Sequence, residues 1–298
     1  MASTNQVVVV TGTSSGFGKL IAESLARKGY TVFATMRGVE GKNAGAANRF
    51  RELAKAESLA LNVAEMDVTD EASVDRCIAE VISKAGRLDI LVNNAGYGVL
   101  GLTETLTLTQ SEAIFDTNFF GVMRTMRAAL PQMRKQASGL VVQISSGAGR
   151  IVLPGFGVYC ATKAALEAMT EACSYELAPL GIDCVILQPG AYPTEIFGKL
   201  ETGADAARAE GYGTVREAPE RVNSILTAST ANPQEIADAV LNVIETPAGK
   251  RALRSRIGTG AGGVEVINET AAQVQKELLS AFGIAELTQF RQGKSATA

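Results

Sequence analysis

The chain has 298 residues, of which 46% are hydrophobic and 20% are charged, and its formal net charge is −3. Because lysine and arginine occur only singly or in short pairs and no apolar run reaches bilayer length, we expect neither a nucleic-acid partner nor a membrane span. The sequence has no histidine, which excludes Ser-His-Asp and Cys-His catalysis and His-ligated zinc, and no metal site is predicted.

Short runs rich in Val, Ile and Leu alternate with longer amphipathic stretches over the first two-thirds of the chain. The predicted strands cover residues 6–11, 30–35, 58–67, 88–93, 140–145 and 182–188. Helical patterns cover residues 16–28, 48–56, 71–85, 109–134 and 158–180. Nearly continuous apolar strands separated by helices predict a parallel sheet that is buried on both faces. The predicted fold class is therefore α/β, a doubly wound parallel sheet of the Rossmann type.

The pattern loosens beyond residue 190. Residues 191–231 combine glycine, alanine and charges in short helix-like pieces, and we interpret them as a substrate-lid insertion over the sheet edge. A helix is predicted from about residue 232 to residue 246, followed by a last strand over 251–257. Residues 266–298 are predicted to be C-terminal amphipathic helices that end in a polar tail. Because there is no internal repeat and no linker, residues 1–298 are expected to form a single domain.

A glycine-rich loop, TGTSSGFG at residues 11–18, joins the first predicted strand to the first helix. Gly12 permits the sharp turn, while Gly16 and Gly18 let the backbone approach a pyrophosphate at the helix N-terminus. The same loop also matches the GxSxG elbow of hydrolases, but Ser14 has no histidine to activate it. The loop is therefore interpreted as a dinucleotide-binding turn.

The end of the second strand predicts which dinucleotide is bound. In the Rossmann pattern an acidic residue at this point holds the adenosine ribose hydroxyls. Here the strand ends in Ala34-Thr35-Met36-Arg37 without an acid. The planar guanidinium of Arg37 is suited to a 2′-phosphate, so the predicted cofactor is NADP(H) rather than NAD.

Tyr159 and Lys163 are four residues apart and therefore lie on one face of a predicted helix. An ammonium beside a phenol favours the phenolate and lowers its pKa, so the pair is a candidate acid–base centre near neutral pH. Ser145 ends the strand before this helix, where open α/β sheets place their ligand-binding groups. Its hydroxyl is expected to hydrogen-bond a substrate oxygen beside Tyr159.

Taken together, the motifs resemble those of the short-chain dehydrogenase/reductases. The ordered set is TGTSSGFG, NNAG at 93–96, Asn118, Ser145, YCATK at 159–163 and PG at 189–190. The resemblance implies that Tyr159 is the general acid/base, that Lys163 binds the nicotinamide ribose and that Ser145 orients the substrate carbonyl. It also implies that Asn118 holds a water that links Lys163 to solvent. The cofactor contacts that it implies are Gly12, Ser14, Ser15, Gly16, Phe17, Gly18, Arg37, Asp67, Val68, Asn94, Ala95, Gly96, Tyr159, Lys163, Pro189, Gly190 and Thr194.

Two features depart from the common family pattern. Phe17 replaces the usual aliphatic residue of the glycine loop, although its backbone N–H can still serve. The region after Thr246 lacks the final VDGG-like strand of the shorter members and resembles the longer steroid- and retinol-type relatives. A homo-oligomer, either a dimer or a tetramer, is nevertheless expected.

The predicted function is an NADP(H)-dependent oxidoreductase that reduces a ketone or aldehyde to an alcohol, or catalyses the reverse reaction. The predicted pocket walls, residues 97–102, 147–156 and 191–222, are rich in apolar and aromatic side chains and favour an apolar or aromatic carbonyl or alcohol substrate. Two alternatives stay open: a nucleotide-sugar epimerase or dehydratase of the same fold, against which the glycine spacing argues, and a non-catalytic NADP sensor. With no basic leader sequence, the cytoplasm is the expected location.

Overall fold

The computed structural model describes residues 6–194, 200–258 and 263–291. Seven parallel strands form its central sheet, in the order β3-β2-β1-β4-β6-β7-β9. A second, two-stranded parallel sheet pairs β5 with β8. The strands are β1 (Val7–Thr11), β2 (Thr31–Met36), β3 (Leu61–Glu65), β4 (Ile90–Asn93), β5 (Val99–Leu100), β6 (Gly139–Ile144), β7 (Ile182–Pro189), β8 (Glu201–Thr202) and β9 (Arg254–Ile257).

Helices flank the central sheet, so the predicted doubly wound α/β fold is confirmed. They are α1 (Gly16–Arg27), α2 (Ala44–Ala56), α3 (Glu71–Ala85), α4 (Leu108–Phe115), α5 (Gly121–Gln136), α6 (Gly157–Leu177), α7 (Ala218–Thr227), α8 (Gln234–Glu245) and α9 (Val264–Ala281). In the part of the chain that the structure describes, no helix combines the length and the apolar character needed to cross a bilayer.

The central strands are buried on both faces, as β1 shows. All five of its residues are buried. Val8 and Val10 belong to the hydrophobic core on one side of the sheet, and Val7 and Val9 belong to the core on the other side. Because side chains alternate between the two faces of a strand, an uninterrupted valine run is stable only between two helical layers.

The largest departure from the predicted elements lies in the helix expected over residues 109–134. It is interrupted by a π-helical turn, Asp116–Phe120, which separates α4 from α5. The predicted strand over 58–67 is also too long, since β3 contains only Leu61–Glu65. Hydrophobic periodicity cannot detect the π-turn, because one extra residue per turn hardly changes the pattern over so short a segment.

The C-terminal third contributes both to the sheet and to its cover. The expected last strand forms as β9 at the edge of the sheet beside β7. The predicted C-terminal helical region forms α9, followed by a 3₁₀ turn, Ala285–Thr288. Residues 195–199 of the predicted lid and 292–298 of the predicted polar tail lie outside the described residues.

Candidate active site

A cleft opens at the carboxyl end of the sheet, where the strand order reverses at β1. Strand β1 pairs with β2 on one side and with β4 on the other, and the carboxyl ends of β1, β4 and β6 face the same opening. This position is the usual binding crevice of open parallel sheets. The cleft has a volume of about 300 Å³ and is lined by residues including Gly12, Ser14, Ser15, Gly16, Phe17, Arg37, Asp67, Val68, Asn94, Ala95, Gly96, Ser145, Tyr159, Lys163 and Thr194.

The glycine-rich loop and the segment after β4 hold each other in place. Gly12 has a φ of +68°, and a Cβ at this position would lie 2.7 Å from Cα of Ala95. The side-chain amide of Asn94 donates to the carbonyl oxygens of Thr11 and Gly12, at 2.9 and 3.1 Å. A Cβ on Gly18 would collide with that amide and with the Gly12 carbonyl. Gly18 is therefore needed for packing under the loop and does not line the cleft.

The loop delivers the N-terminus of α1 to the cleft. Ser14, Ser15 and Gly16 line the opening there. Ser15 is the N-cap residue, and in the described chain its side chain makes no capping hydrogen bond to the helix. First-turn N–H groups and the helix dipole favour an anion at this position. The residues present thus fit a dinucleotide phosphate group.

Arg37 and Asp67 face each other across the far end of the cleft. Nη1 of Arg37 lies 3.8 Å from Oδ2 of Asp67, and both side chains reach solvent. Asp67 also accepts hydrogen bonds from the backbone N–H and the hydroxyl of Thr69, at 3.0 and 2.8 Å. Burial alone would raise the pKa of Asp67, but the Thr69 hydrogen bonds, with the charges of Arg37 and Lys42, lower it. The far end of the cleft therefore presents the Arg37 guanidinium beside the Asp67 carboxylate.

Tyr159 and Lys163 project from the first turns of α6 towards the cleft. Nζ of Lys163 lies 5.9 Å from the centroid of the Tyr159 ring and donates to the carbonyl oxygen of Ile144 at 2.9 Å. Burial lowers the pKa of Lys163 to about 8, a shift that the Glu167 carboxylate opposes.

Burial also changes the acidity of the phenol. It raises the pKa of Tyr159 to about 12, although the hydrogen bond with Ser146 opposes this shift. The predicted net lowering of the Tyr159 pKa is therefore not found. The reason is that desolvation of the phenolate outweighs a lysine whose nearest partner is a backbone carbonyl.

The two adjacent serines after β6 point to different partners. The hydroxyl of Ser145 donates to Oε1 of Glu167 at 2.8 Å, whereas Ser146 is hydrogen-bonded to Tyr159. Oγ of Ser146 also accepts from the backbone N–H of Ala148 at 3.1 Å, which fixes its direction. Ser145 lines the cleft, but its hydroxyl is bound to Glu167. The serine beside the phenol is therefore Ser146 and not the predicted Ser145.

The sequence shows two adjacent serines, Ser145 and Ser146, but it does not show which of them faces Tyr159. Consecutive side chains of an extended segment point to opposite sides, so only one of two adjacent serines can face Tyr159. Which one does so depends on where the strand ends. Strand β6 ends at Ile144, and Ser146 begins the 3₁₀ turn Gly147–Gly149 as its N-cap.

Asn118 lies in the π-helical turn and is fully buried. Its amide nitrogen donates to the Tyr97 carbonyl at 3.0 Å and to the Thr162 hydroxyl at 3.2 Å. Its amide oxygen accepts from the backbone N–H of Tyr97 at 3.1 Å. The side chain thus joins the segment after β4 to α6. Both amide hydrogens of Asn118 are thereby engaged, and a water held by Asn118 stays a prediction.

A second cavity of about 460 Å³ adjoins the first and is mostly apolar. Pro189, Gly190 and Thr194 border it, as does Tyr159. In the described residues, its lining contains no Asp, Glu, Lys or Arg side chain. The predicted third wall ends at residue 222 and omits part of α7, because the amphipathic pattern of a helix does not show what its apolar face covers. The missed lining residues are Ile225, Leu226 and Ser229.

Comparison with known proteins gives consistent matches. The family model described as short chain dehydrogenase matches residues 6–205. The human retinol dehydrogenase 8 is 37% identical over 259 residues, which is 83% of this chain and 80% of that protein. A solved short-chain dehydrogenase from Streptomyces avermitilis superposes with a TM-score of 0.76 at 34% identity, covering 93% of this chain and 98% of the other.

A further solved structure holds a cofactor. It is a variant of the actinorhodin polyketide ketoreductase with NADPH, which is 28% identical and has a TM-score of 0.71. The match covers 88% of this chain and 99% of the ketoreductase.

Proposed function

The chain belongs to the short-chain dehydrogenase family and is an oxidoreductase, and from this premise we propose that it interconverts a carbonyl compound and an alcohol with NADP(H). The observation that carries the proposal is the position of Tyr159. Its side chain lines both the cleft at the glycine loop and the apolar cavity beside it. A phenol at this junction can exchange a proton with a substrate whose reacting carbon faces the cofactor cleft.

NADP(H), when bound, supplies or accepts the hydride. In the reductive direction Tyr159 donates its proton to the substrate oxygen as the carbonyl bond is reduced to an alcohol. Ser146, whose hydroxyl is already directed to the phenol, donates a hydrogen bond to the same oxygen as negative charge develops there. Lys163, charged at neutral pH, stabilises the resulting phenolate until a solvent proton replaces the lost one.

The proposal of NADP(H) rather than NAD rests on charge at the adenosine end of the cleft. Arg37 is exposed there, and the Lys42 charge acts on the same carboxylate. An exposed guanidinium binds phosphate well and is suited to a 2′-phosphate. The NADPH in the related ketoreductase structure supports this choice.

The proposed substrate is an apolar or aromatic ketone, aldehyde or secondary alcohol. The lining of the second cavity includes Phe156, Leu200 and Leu226, and Ser146 and Tyr159 contribute hydroxyl groups to it. An apolar pocket with a few polar groups at the reactive end selects by shape and excludes water. Assembly as a homo-oligomer and a location in the cytoplasm stay predictions.

The test is turnover of a panel of bulky apolar ketones and aldehydes by the purified chain, with NADPH and then with NADH, followed by loss of reduced-cofactor absorbance. We expect NADPH-dependent turnover that is abolished in Tyr159→Phe, with NADPH affinity kept within a few-fold. Loss of NADPH binding in Tyr159→Phe would mean that the tyrosine is mainly structural. Tight NADPH binding without turnover of any compound would favour the non-catalytic sensor.

A further inference from the structure

A buried carboxylate lies directly behind the reactive residues. Glu167 is one helical turn beyond Lys163 on α6, and its side chain is only 1% exposed. A buried carboxylate is stable only when its charge and its lone pairs are satisfied. The partners of Glu167 come from several elements that are distant in sequence.

Two arginines neutralise this carboxylate. Oε2 of Glu167 lies 3.1 Å from Nε of Arg254 on β9 and 3.2 Å from Nε of Arg150, which follows the 3₁₀ turn after β6. Arg254 also pairs with Glu171, and its Nη2 lies 2.7 Å from Oε2 of Glu171. We call Glu167, Glu171, Arg150 and Arg254 the buried charge cluster. It contains two acids and two bases and so carries no net formal charge.

Neutral partners complete the coordination of Glu167. The amide of Gln188 on β7 donates to both carboxylate oxygens, at 2.9 and 3.0 Å. Asn268 on α9 donates to the Gln188 amide oxygen at 2.7 Å and accepts from Arg150 at 3.0 Å. The C-terminal helix is thereby connected through side chains to the carboxylate behind the active site.

The carboxylate also shapes the segment that carries Ser146. Oε1 of Glu167 accepts the Ser145 hydroxyl at 2.8 Å. A Cβ on Gly149 would lie 2.6 Å from the same oxygen, so the 3₁₀ turn wraps closely around it. Ser145 and Gly149 flank Ser146 on either side. Fixing both flanks restricts the direction in which the Ser146 hydroxyl can point.

We propose that Glu167 is a positioning residue for the reaction, which holds the Ser146 segment against Tyr159, and that the buried charge cluster makes this arrangement depend on β9 and α9. The proposal rests on the function proposed above. The titratable groups that influence the charge of Lys163 are Tyr159 and Glu167. Arg150 and Arg254 pair with Glu167, and Glu171 pairs with Arg254. Since Glu167 opposes the lowering of the pKa of Lys163, its removal should make the lysine lose its proton at lower pH.

The experiment compares Glu167→Gln with the matched control Glu171→Gln. Each change neutralises one acid that pairs with Arg254, but Glu171 does not contact Ser145 and lies a further turn from Lys163. For each protein, kcat/KM is measured from pH 6 to 10, and NADPH affinity is measured over the same range from the fluorescence of the reduced nicotinamide. The melting temperature of each variant measures how much stability the substitution removes.

We expect Glu167→Gln to lower kcat/KM by about 100-fold, the loss that follows from displacing reacting groups by an ångström. The alkaline midpoints of both pH profiles should move to lower pH by about one unit. Glu171→Gln should lose thermal stability with less than a threefold change in kcat/KM and with unshifted midpoints. Equal kinetic losses and unshifted midpoints in both variants would overturn the proposal and leave Glu167 a structural residue.

Ser145→Ala tests the proposal if Glu167→Gln does not fold, because it removes the hydrogen bond to Glu167 and leaves every charge in place. We expect kcat/KM to fall about three- to tenfold, and wild-type kinetics would overturn the link to Ser146. Absence of wild-type turnover would instead contradict the proposed function. The NADPH affinity profile would then still decide whether Glu167 acts on Lys163, because it does not require turnover.

Discussion

At the scale of single residues, burial moves the pKa values of the two reactive groups in opposite directions. Desolvation favours the neutral form of each group, so it raises the pKa of Tyr159 to about 12 and lowers that of Lys163 to about 8. At pH 7 the phenol therefore holds its proton and the lysine is mostly charged. This is the protonation state from which a carbonyl is reduced, because the proton donor is loaded and a cation is ready to stabilise the phenolate.

The two serines after β6 provide the first prediction. Ser146→Ala should lower kcat/KM by about 10²- to 10³-fold, because it removes a donor aimed at the developing oxyanion. Ser145→Ala serves as the adjacent control and should lose less than about tenfold. Steady-state kinetics of both variants at pH 7 make the comparison. A larger loss in Ser145→Ala would restore the original assignment of Ser145 as the residue that orients the substrate.

The second prediction concerns the choice of cofactor. Arg37→Asp replaces a cation by a carboxylate beside Asp67, so a 2′-phosphate should be repelled and ribose hydroxyls accepted. The ratio of kcat/KM for NADPH to that for NADH should fall by at least about tenfold, which corresponds to about 1.4 kcal/mol. Arg51→Asp, which changes an exposed arginine that pairs with Glu40 outside the cleft, is the control. An unchanged ratio in Arg37→Asp would contradict the role of Arg37.

At the scale of elements, the glycine loop and the segment after β4 form one unit. The hydroxyl of Thr11 accepts from the backbone N–H groups of both Asn94 and Ala95, each at 3.0 Å. Together with the Asn94 amide, these bonds fix the loop at the N-terminus of α1. The proposed phosphate site is therefore built by two segments that are more than 80 residues apart in the chain, and neither forms it alone.

The third prediction tests this unit. Gly12→Ala combines a left-handed backbone with a Cβ close to Ala95, so it should abolish measurable NADPH binding and lower the free energy of unfolding. Gly86→Ala is the matched control, since its φ is +72° and nothing lies within 4 Å of the added Cβ. It should cost about 1–2 kcal/mol for the backbone alone, and Gly12→Ala about 1–3 kcal/mol more from overpacking. Equal stabilities with normal NADPH binding would show that the contact with Ala95 is easily relieved.

At the scale of the whole molecule, one sheet separates two hydrophobic cores, and its edge strand β9 brings the C-terminal segment to the active site. Arg254 on β9 and Asn268 on α9 both reach groups that contact Glu167. The family-model match ends at residue 205, before these elements. The part of the chain beyond that match thus contributes directly to the surroundings of the reactive residues.

The fourth prediction uses the thiols as reporters of global unfolding. All four cysteines are free, and Cys77, Cys160 and Cys184 are buried, while Cys173 is partly exposed. Burial raises the pKa of each thiol, to about 12 for Cys77, so the reactive thiolate is scarce. An aromatic disulfide reagent at pH 8 should label at most Cys173 in the native protein and all four thiols in denaturant, and a reducing agent should leave the melting temperature unchanged. Rapid native labelling of several thiols would contradict the packing of the cores.

The positions of the sheet-forming segments, the glycine loop and the Tyr159–Lys163 pair could be predicted from the sequence, because each depends on local spacing or on a run of apolar residues. The sequence did not determine which of Ser145 and Ser146 faces Tyr159, since that choice depends on where β6 ends. The direction of the Tyr159 pKa shift and the partners of Glu167 were likewise decided only by the tertiary structure. Both follow from burial and from contacts between residues that are distant in the chain, such as Arg254 and Glu167. Desolvation depends on the whole surroundings of a group rather than on its neighbours in the chain.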